Sequence, residues 1–280
     1  ANIPEEAGFV TNPYTNIGGM ESWGFDGNIT FNHNFTKDFG MTVRGNWTFA
    51  RNNVTYWEQS GVVYPYQSFV DVPYGVQRGL ISLGLFKDQA DIESSPVQTY
   101  SSDVRPGDIK YKDVNGDGII DSNDRVAIGA TTRPNLVYGF GFSAKWKGLD
   151  FNAHFQGAGK SSFFVKGTTI FMFQGGDGWG NVLKEMAESN RWILGENEDP
   201  NAEFPRLTYG DNKNNYQESN YWLRDGSYLR LKTLDIGYTF PKAWVNKIHL
   251  NQVRVFFIGH SLRLNIGIRN WEVQTERNTR

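Results

Sequence analysis

A segment rich in aspartate, asparagine and glycine carries the clearest pattern of metal-ligating residue types in this 280-residue sequence. Residues 113–124 read DVNGDGIIDSND, with oxygen-bearing side chains at alternating positions and a glycine at the sixth position. Calcium loops use this spacing, because alternate residues supply hard oxygen ligands and the glycine permits a sharp turn. The pattern predicts a structural Ca²⁺ site with ligands from Asp113, Asn115, Asp117, the carbonyl of Ile119, Asp121 and Asp124.

Two features distinguish this segment from helix-flanked calcium loops. Asp124 stands where such loops usually carry a bidentate glutamate, so one oxygen ligand is lost or the geometry is rearranged. The flanking residues 109–112 and 125–128 have the composition of strands rather than helices. The alternative interpretation is a hairpin loop that holds no metal and is capped by hydrogen bonds from its own side chains.

Composition argues against most other kinds of chemistry. The sequence has no cysteine, which excludes disulfide scaffolds, zinc–thiolate sites and thiol catalysis. Its four histidines lack the spacing of a transition-metal site, and no phosphate-binding loop, dinucleotide fingerprint or serine-nucleophile motif occurs. The net charge is −2 without a basic cluster, so nucleic acid is not an expected partner. We therefore predict that the chain is not an enzyme.

The elements that must position the 113–124 segment are strands. Apolar and polar residues alternate with a period of two, which predicts an all-β chain with long strands. The predicted strands are residues 23–35, 41–49, 137–147, 149–156, 234–240 and 253–259. The turns at residues 36–40 and 147–148 are short, whereas residues 56–76, 84–134 and 160–227 form long connections that include one predicted helix at residues 180–194.

Short turns at one end of long strands and long loops at the other are typical of outer-membrane barrels, whose strands need about 9–11 residues. In such a barrel the aromatic side chains of Phe140, Phe142 and Trp146 would face lipid, and the alternate residues would face the polar interior. Two alternatives from other classes stay open. One is a secreted, calcium-dependent, carbohydrate-binding β-sandwich, and the other is a glycoside hydrolase with a carboxylate pair such as Glu185 and Glu188.

Several segments, in order along the chain, resemble signatures of SusC/RagA-type TonB-dependent transporters, which are outer-membrane importers of Bacteroidetes. The longest are residues 105–124 (RPGDIKYKDVNGDGIIDSND), 221–241 (YWLRDGSYLRLKTLDIGYTFP) and 253–262 (VRVFFIGHSL), and residues 79–86 and 204–207 fit as well. The chain departs from the family at His260, where glutamine or asparagine is more frequent. The resemblance covers nearly the whole chain.

The resemblance implies a partial antiparallel transmembrane β-barrel with long extracellular loops, the C-terminal part of a plugged barrel of about 22 strands. It implies an outer-membrane location and import of a glycan or peptide together with a SusD-like surface lipoprotein. TonB would contact a region N-terminal to this chain, and lipid would cover the outer face. The family pattern assigns no substrate-contacting residue in this sequence.

The last part of the chain departs from this pattern. Residues 1–262 are predicted to be the C-terminal portion of the receptor barrel, whereas residues 263–280 (RLNIGIRNWEVQTERNTR) show no period-two alternation. Regrouping the codons from residue 264 permits a peptide containing W-D-P-E, which resembles the family's own sequence before its final strand. We therefore expect residues 263–280 to be an out-of-frame peptide, with a divergent natural tail as the alternative.

Overall fold

The computed structural model describes residues 16–59, 62, 64–168, 170–174, 180–188 and 190–262. The strands of this part of the chain are β1 (Gly18–Asn34), β2 (Phe39–Trp57), β3 (Val76–Gly79), β4 (Ser82–Leu85), β5 (Val97–Gln98), β6 (Ile109–Tyr111), β7 (Ile119–Ile120), β8 (Val126–Thr131), β9 (Leu136–Trp146), β10 (Leu149–Gly159), β11 (Ser162–Phe164), β12 (Leu223–Asp225), β13 (Tyr228–Thr239) and β14 (Arg254–Leu262). The helices are short: α1 (Gln89–Glu93), α2 (Lys184–Glu188) and α3 (Lys242–Val245), with 3₁₀ turns at Pro65–Gln67, Ser122–Asp124 and Asn246–Ile248.

Contacts divide the chain into two compact units, and each is built from separated stretches. The loop unit comprises Ala1–Glu21, Asn52–Thr132 and Ser162–Arg224. The sheet unit comprises Ser22–Arg51, Arg133–Ser161 and Asp225–Arg280.

The sheet unit is organised around one six-stranded sheet in the order β1-β2-β9-β10-β13-β14. Neighbouring strands from β2 to β14 are antiparallel. The predicted strands are confirmed, and most of them are longer than the alternation alone indicated. The β9–β10 connection is the predicted two-residue turn, in which Lys147 (φ 45°) and Gly148 (φ 88°) are both left-handed. That is the backbone twist a two-residue hairpin turn requires.

The two faces of this sheet differ in chemistry. Phe142 lies between Val43 and Ala153 in the register, and Phe140 lies between Gly45 and Phe155. Phe140 and Phe142 remain 42% and 37% exposed. The neighbouring register positions on the opposite face carry polar side chains or glycine, as period-two alternation requires. One exception is β14, where Val255–Ile258 are all exposed apolar residues and so place apolar groups on both faces.

The loop unit contains a closely packed interior. Its largest fully buried side chains include Trp222, Tyr111, Phe86, Leu80 and Ile109. Short two-stranded sheets pair β3 with β8, β4 with β6 and, in parallel, β5 with β7. The long connections of the sequence are therefore folded structure with its own core.

The structure corrects two of the expectations. The helix predicted at residues 180–194 is only α2, because residues 191–193 instead form bridges in which Trp192 N–H donates to the Phe204 carbonyl and Ile193 N–H to that of Asn197. The sandwich alternative is wrong, since the described long strands form one sheet rather than two packed sheets. No helix in the described residues is long and apolar enough to cross a membrane. The predicted out-of-frame tail, residues 263–280, lies outside the described residues.

Candidate functional site

The first half of the 113–124 segment is folded by hydrogen bonds from its own side chains. Asp113 accepts from Gly116 N–H through Oδ1 (2.6 Å) and from Gly118 N–H through Oδ2 (2.8 Å). Asp117 Oδ1 accepts from Ile119 N–H at 2.8 Å, and Asn115 Nδ2 donates to Asp117 Oδ2 at 2.8 Å. The structure therefore brings Asp113, Asn115 and Asp117 together in one turn.

The second half holds the segment closed. Asp124 is fully buried, and its carboxylate accepts from Val114 N–H (2.8 Å) and Asp121 N–H (2.9 Å). Asp121 caps the following 3₁₀ turn by accepting from Asn123 N–H. Ile119 belongs to β7, beside Val97 of β5. Asp121 and Asp124 thus accept hydrogen bonds from the backbone of the turn, and Asp124 joins its two ends.

The segment is not a hairpin loop. β6, before it, pairs with β4, and β8, after it, pairs with β3. The segment contacts a pair of stacked tyrosines, Tyr64 and Tyr66, whose ring centroids are 5.4 Å apart. Asn115 Nδ2 donates to Tyr64 Oη, and Tyr66 Oη donates to the Asn123 carbonyl at 2.8 Å.

The donor set of Asp113, Asn115 and Asp117 fits a hard divalent cation. A carboxylate oxygen has more than one acceptor position, so the hydrogen bonds described above leave it capacity for a cation. The side-chain caps that the metal-free alternative requires are also present. Among the described residues, no three His, Cys, Asp or Glu side chains form a group that could hold a metal. The predicted Ca²⁺ site also uses the amide of Asn115 and the carbonyl of Ile119 as ligands. It stays a prediction.

Next to this segment lies a buried carboxylate that the analysis of the sequence missed. Asp108 is 0% exposed and ion-pairs with Arg206, whose Nε lies 2.8 Å from Asp108 Oδ1. Asn212 Nδ2 and Asn215 Nδ2 donate to the same oxygen at 3.0 and 2.9 Å, and Arg105 N–H donates to Oδ2 at 2.8 Å. The Asp108 cluster (Arg105, Asp108, Arg206, Asn212 and Asn215) therefore joins stretches of chain that are about 100 residues apart.

One buried and two half-buried tyrosines accompany the Asp108 cluster. Tyr216 stacks on Phe171, with ring centroids 4.4 Å apart, and its hydroxyl donates to the Met172 carbonyl. Burial, and then the carboxylate of Asp211, raise the pKa of Tyr216 to about 12. Burial likewise raises the pKa values of Tyr111 and Tyr221.

These pKa shifts predict alkaline destabilisation of the loop unit. A phenol whose pKa is raised on folding contributes stability that is complete below the unfolded value near 10 and is lost as pH rises toward the folded value. We expect the loop unit to lose stability between about pH 10 and 12, and tyrosinate absorbance together with protease resistance will measure this loss. Complete ionisation of Tyr216 near pH 10 in the folded protein would contradict the prediction.

The polar face of the sheet unit carries a hydrogen-bonded network of its own. Arg254 joins two aspartates, with Nε donating to Asp150 Oδ1 at 3.2 Å and Nη2 to Asp235 Oδ1 at 3.1 Å. Arg44 Nη2 donates to Asn152 Oδ1 at 2.8 Å and to Ser143 Oγ at 3.3 Å. This face is therefore polar enough to contact water or polar solutes, and both aspartates next to Arg254 are paired with it.

Comparison with known proteins agrees with this architecture. The chain is 27% identical over 275 residues to TonB-dependent receptor P26 of Formosa agariphila, an alignment that covers 94% of this chain and 26% of the relative. It is 22% identical over 255 residues to TonB-dependent receptor SusC of Bacteroides thetaiotaomicron, with 86% of this chain and 23% of the relative covered. A solved structure of the RagAB peptide transporter superposes with a TM-score of 0.65 at 18% identity, over 94% of this chain and 27% of that one. The chain is SusC/RagA-like.

The likeness fixes the fold of this SusC/RagA-like chain as a partial antiparallel barrel, which is not closed by the described strands. No protein-family model matches the chain. It spans about a quarter of the length of the curated relatives. The relatives are named as receptors, and the solved structure as a transporter, which supports the prediction that the SusC/RagA-like chain is not an enzyme.

Proposed function

We propose that the chain is part of a TonB-dependent outer-membrane transporter that imports a glycan or a peptide. The observation that carries the proposal is the likeness to TonB-dependent receptors along 94% of the chain. The sheet supports it physically, because strands of 9 to 19 residues are long enough to cross a membrane core.

The two faces of the sheet fit the two environments of such a barrel. The face with Phe140 and Phe142 is exposed and apolar, which suits lipid. The face with Arg44, Asn152 and Asp150 is polar, which suits a water-filled interior. In a membrane every backbone N–H and C=O needs a partner, so β1 and β14, the edges of this sheet among the described strands, would pair with further strands.

The proposed partners follow from the same relatives. One is a surface lipoprotein of the SusD type, which would sit over the extracellular loops. The other is TonB, which would supply energy through a region N-terminal to this chain. A peptide is one candidate for the imported solute, because the solved structure is that of a peptide transporter, and the glycan that the family resemblance implies is the other.

Fractionation and uptake test this proposal together. The protein expressed from its complete gene should appear in the detergent-extracted outer membrane, and a surface lipoprotein should co-purify with it. Uptake of labelled oligosaccharides and labelled oligopeptides is then compared in wild-type cells and in cells without TonB. We expect one of the two solutes to be imported only when TonB is present. Recovery in the aqueous fraction, or uptake independent of TonB, would sink the proposal.

We further propose that Asp113, Asn115 and Asp117 bind a structural Ca²⁺. The ion would neutralise the carboxylates of the turn and fix the position of the segment between β6 and β8. Asp113 and Asp117 supply the charge that a hard cation needs, and Asn115 supplies an amide oxygen.

The calcium proposal predicts that Asp117→Ala abolishes Ca²⁺ binding and loosens residues 107–129 while leaving the sheet unit intact. Calorimetric titration of the chelator-treated protein measures binding, and hydrogen exchange measures the loosening. Asp103→Ala is the matched control, because Asp103 is an exposed carboxylate outside the segment that pairs only with Arg105 among the described residues. Equal Ca²⁺ binding by the two variants, or none by the wild type, rules the site out.

A further inference from the structure

One row of the sheet's polar face concentrates basic side chains. The register places Arg44 of β2 beside Gly141 of β9, Gly141 beside His154 of β10, His154 beside Thr233 of β13, and Thr233 beside His260 of β14. All five positions therefore lie side by side across five strands. At a strand spacing of about 4.8 Å, this basic row is about 19 Å long.

Two side chains of the row converge over Gly141, which is buried beneath them. A Cβ atom at this position would lie 3.0 Å from Arg44 Nε and 3.2 Å from His154 Nδ1. These two nitrogens thus approach the same small space from β2 and β10, the strands on either side of β9. They can do so because Gly141 has no side chain. Arg44 is held in this place by its bonds to Asn152 and Ser143, which occupy Nη2 rather than Nε.

The structure, as far as it describes the chain, shows no acidic side chain paired with this row. Among the described residues, no carboxylate lies within ion-pair distance of Arg44, His154 or His260. Lys232, the extra residue at the bulge beside Thr233, is exposed and also forms no ion pair there. The two aspartates of the neighbouring polar positions, Asp150 and Asp235, are already bound to Arg254. Arg44 and Lys232 therefore have no ion-pair partner within the part of the chain that the structure describes.

We propose that the basic row binds an anionic group of the transported solute, with Arg44 and His154 as its central contacts above Gly141. A guanidinium and an imidazole nitrogen that converge over one glycine suit a carboxylate, which accepts hydrogen bonds through two oxygens. The inference rests on the proposed import function and narrows its solute to one that carries carboxylates. An acidic peptide and a uronic-acid oligosaccharide share this chemistry.

Paired probes test the inference on the purified protein expressed from its complete gene. Tetraglutamate is compared with amidated tetraglutamine, and trigalacturonate with neutral trigalactose, so that each pair differs in charge. We expect one anionic probe to bind about tenfold tighter than its neutral counterpart, as charge-assisted hydrogen bonds produce. Added salt should weaken this preference, because Arg44 is exposed and salt screens exposed charges. The pair that responds identifies the source of the carboxylate.

Arg44→Gln should remove the preference for the anionic probe, again about tenfold, while Arg230→Gln should leave it unchanged. Arg230 is the matched control, since it loses the same charge on the same face but lies outside the row and donates to Gln156. Equal effects of the two variants, no charge preference for either probe, or an Arg44→Gln effect on thermal stability alone would overturn the inference. If the charge preference fails but uptake still depends on TonB, only the basic-row inference is rejected. If binding is charge-selective but no uptake occurs, only the import function is rejected.

Discussion

Replacement of Asp108 by asparagine is expected to destabilise the loop unit by about 3–5 kcal/mol. The change leaves the largely buried cation of Arg206, whose side chain is 16% exposed, without its carboxylate, and it turns an amide group toward the donors of Asn212 and Asn215. A loss of this size is a large part of the 5–15 kcal/mol that stabilises a typical domain. Pulse proteolysis across a denaturant series, with cleavage followed in residues 52–132 and 162–224, will measure the loss.

A second aspartate provides the control for this expectation. Asp103 pairs with Arg105 at 2.7 Å, but both side chains are more than 60% exposed, so the pair is screened by water. Asp103→Asn removes the same charge only five residues away and should leave the protease resistance of the loop unit nearly unchanged. Similar protease resistance in the two variants would show that burial of Asp108 is not what stabilises the unit.

Replacement of Phe142 by arginine is expected to cost about 2–4 kcal/mol if this position lies near the bilayer midplane. Its side chain occupies the apolar face between Val43 and Ala153, with its ring 6.0 Å from that of Phe151. Lipid cannot hydrate a guanidinium at this depth. Urea-dependent folding of the complete protein into lipid vesicles measures the change in free energy.

The control for Phe142→Arg must lie at a similar depth on the opposite face. Thr42 meets this condition, because it pairs with Ser143 one residue further along the β2–β9 register, and its hydroxyl donates only an exposed bond to Asn32 at 3.3 Å. Thr42→Arg should cost about 1 kcal/mol or less, as the interior of a barrel tolerates charge. Equal costs at positions 42 and 142 would place neither face against lipid.

The long strands could be predicted from the sequence because their alternation is a local signal. Phe140, Phe142 and Trp146 mark one face of β9 by spacing alone, and a two-residue turn at Lys147-Gly148 determines the partner strand. Residues 191–193 were assigned wrongly to a helix, because their backbone pairs with residues that the sequence places 4 and 13 positions away, and helical periodicity does not report such pairing.

The residues of the Asp108 cluster and the basic row could not be found in the same way. Asp108 depends on Arg206, Asn212 and Asn215, and no periodic pattern indicates which distant side chains meet a buried carboxylate. Arg44, His154 and His260 are scattered along the sequence, and only the register of five strands aligns them. For the 113–124 segment the spacing indicated the residues of the turn. That Asp121 and Asp124 accept hydrogen bonds from backbone N–H groups became visible only in the structure.

The separation between Asp108 and its partners has a consequence for the order of folding. Arg206, Asn212 and Asn215 reach Asp108 across 98, 104 and 107 residues. Closing a chain segment of this length costs entropy before any contact repays it, so interactions of high contact order form late. The β9–β10 hairpin, whose strands are joined by two residues, closes on a far shorter time scale. Until the chain around residue 215 packs against Asp108, this carboxylate stays hydrated and the interior around Trp222 is exposed to water. A holding chaperone is therefore most needed before this packing occurs.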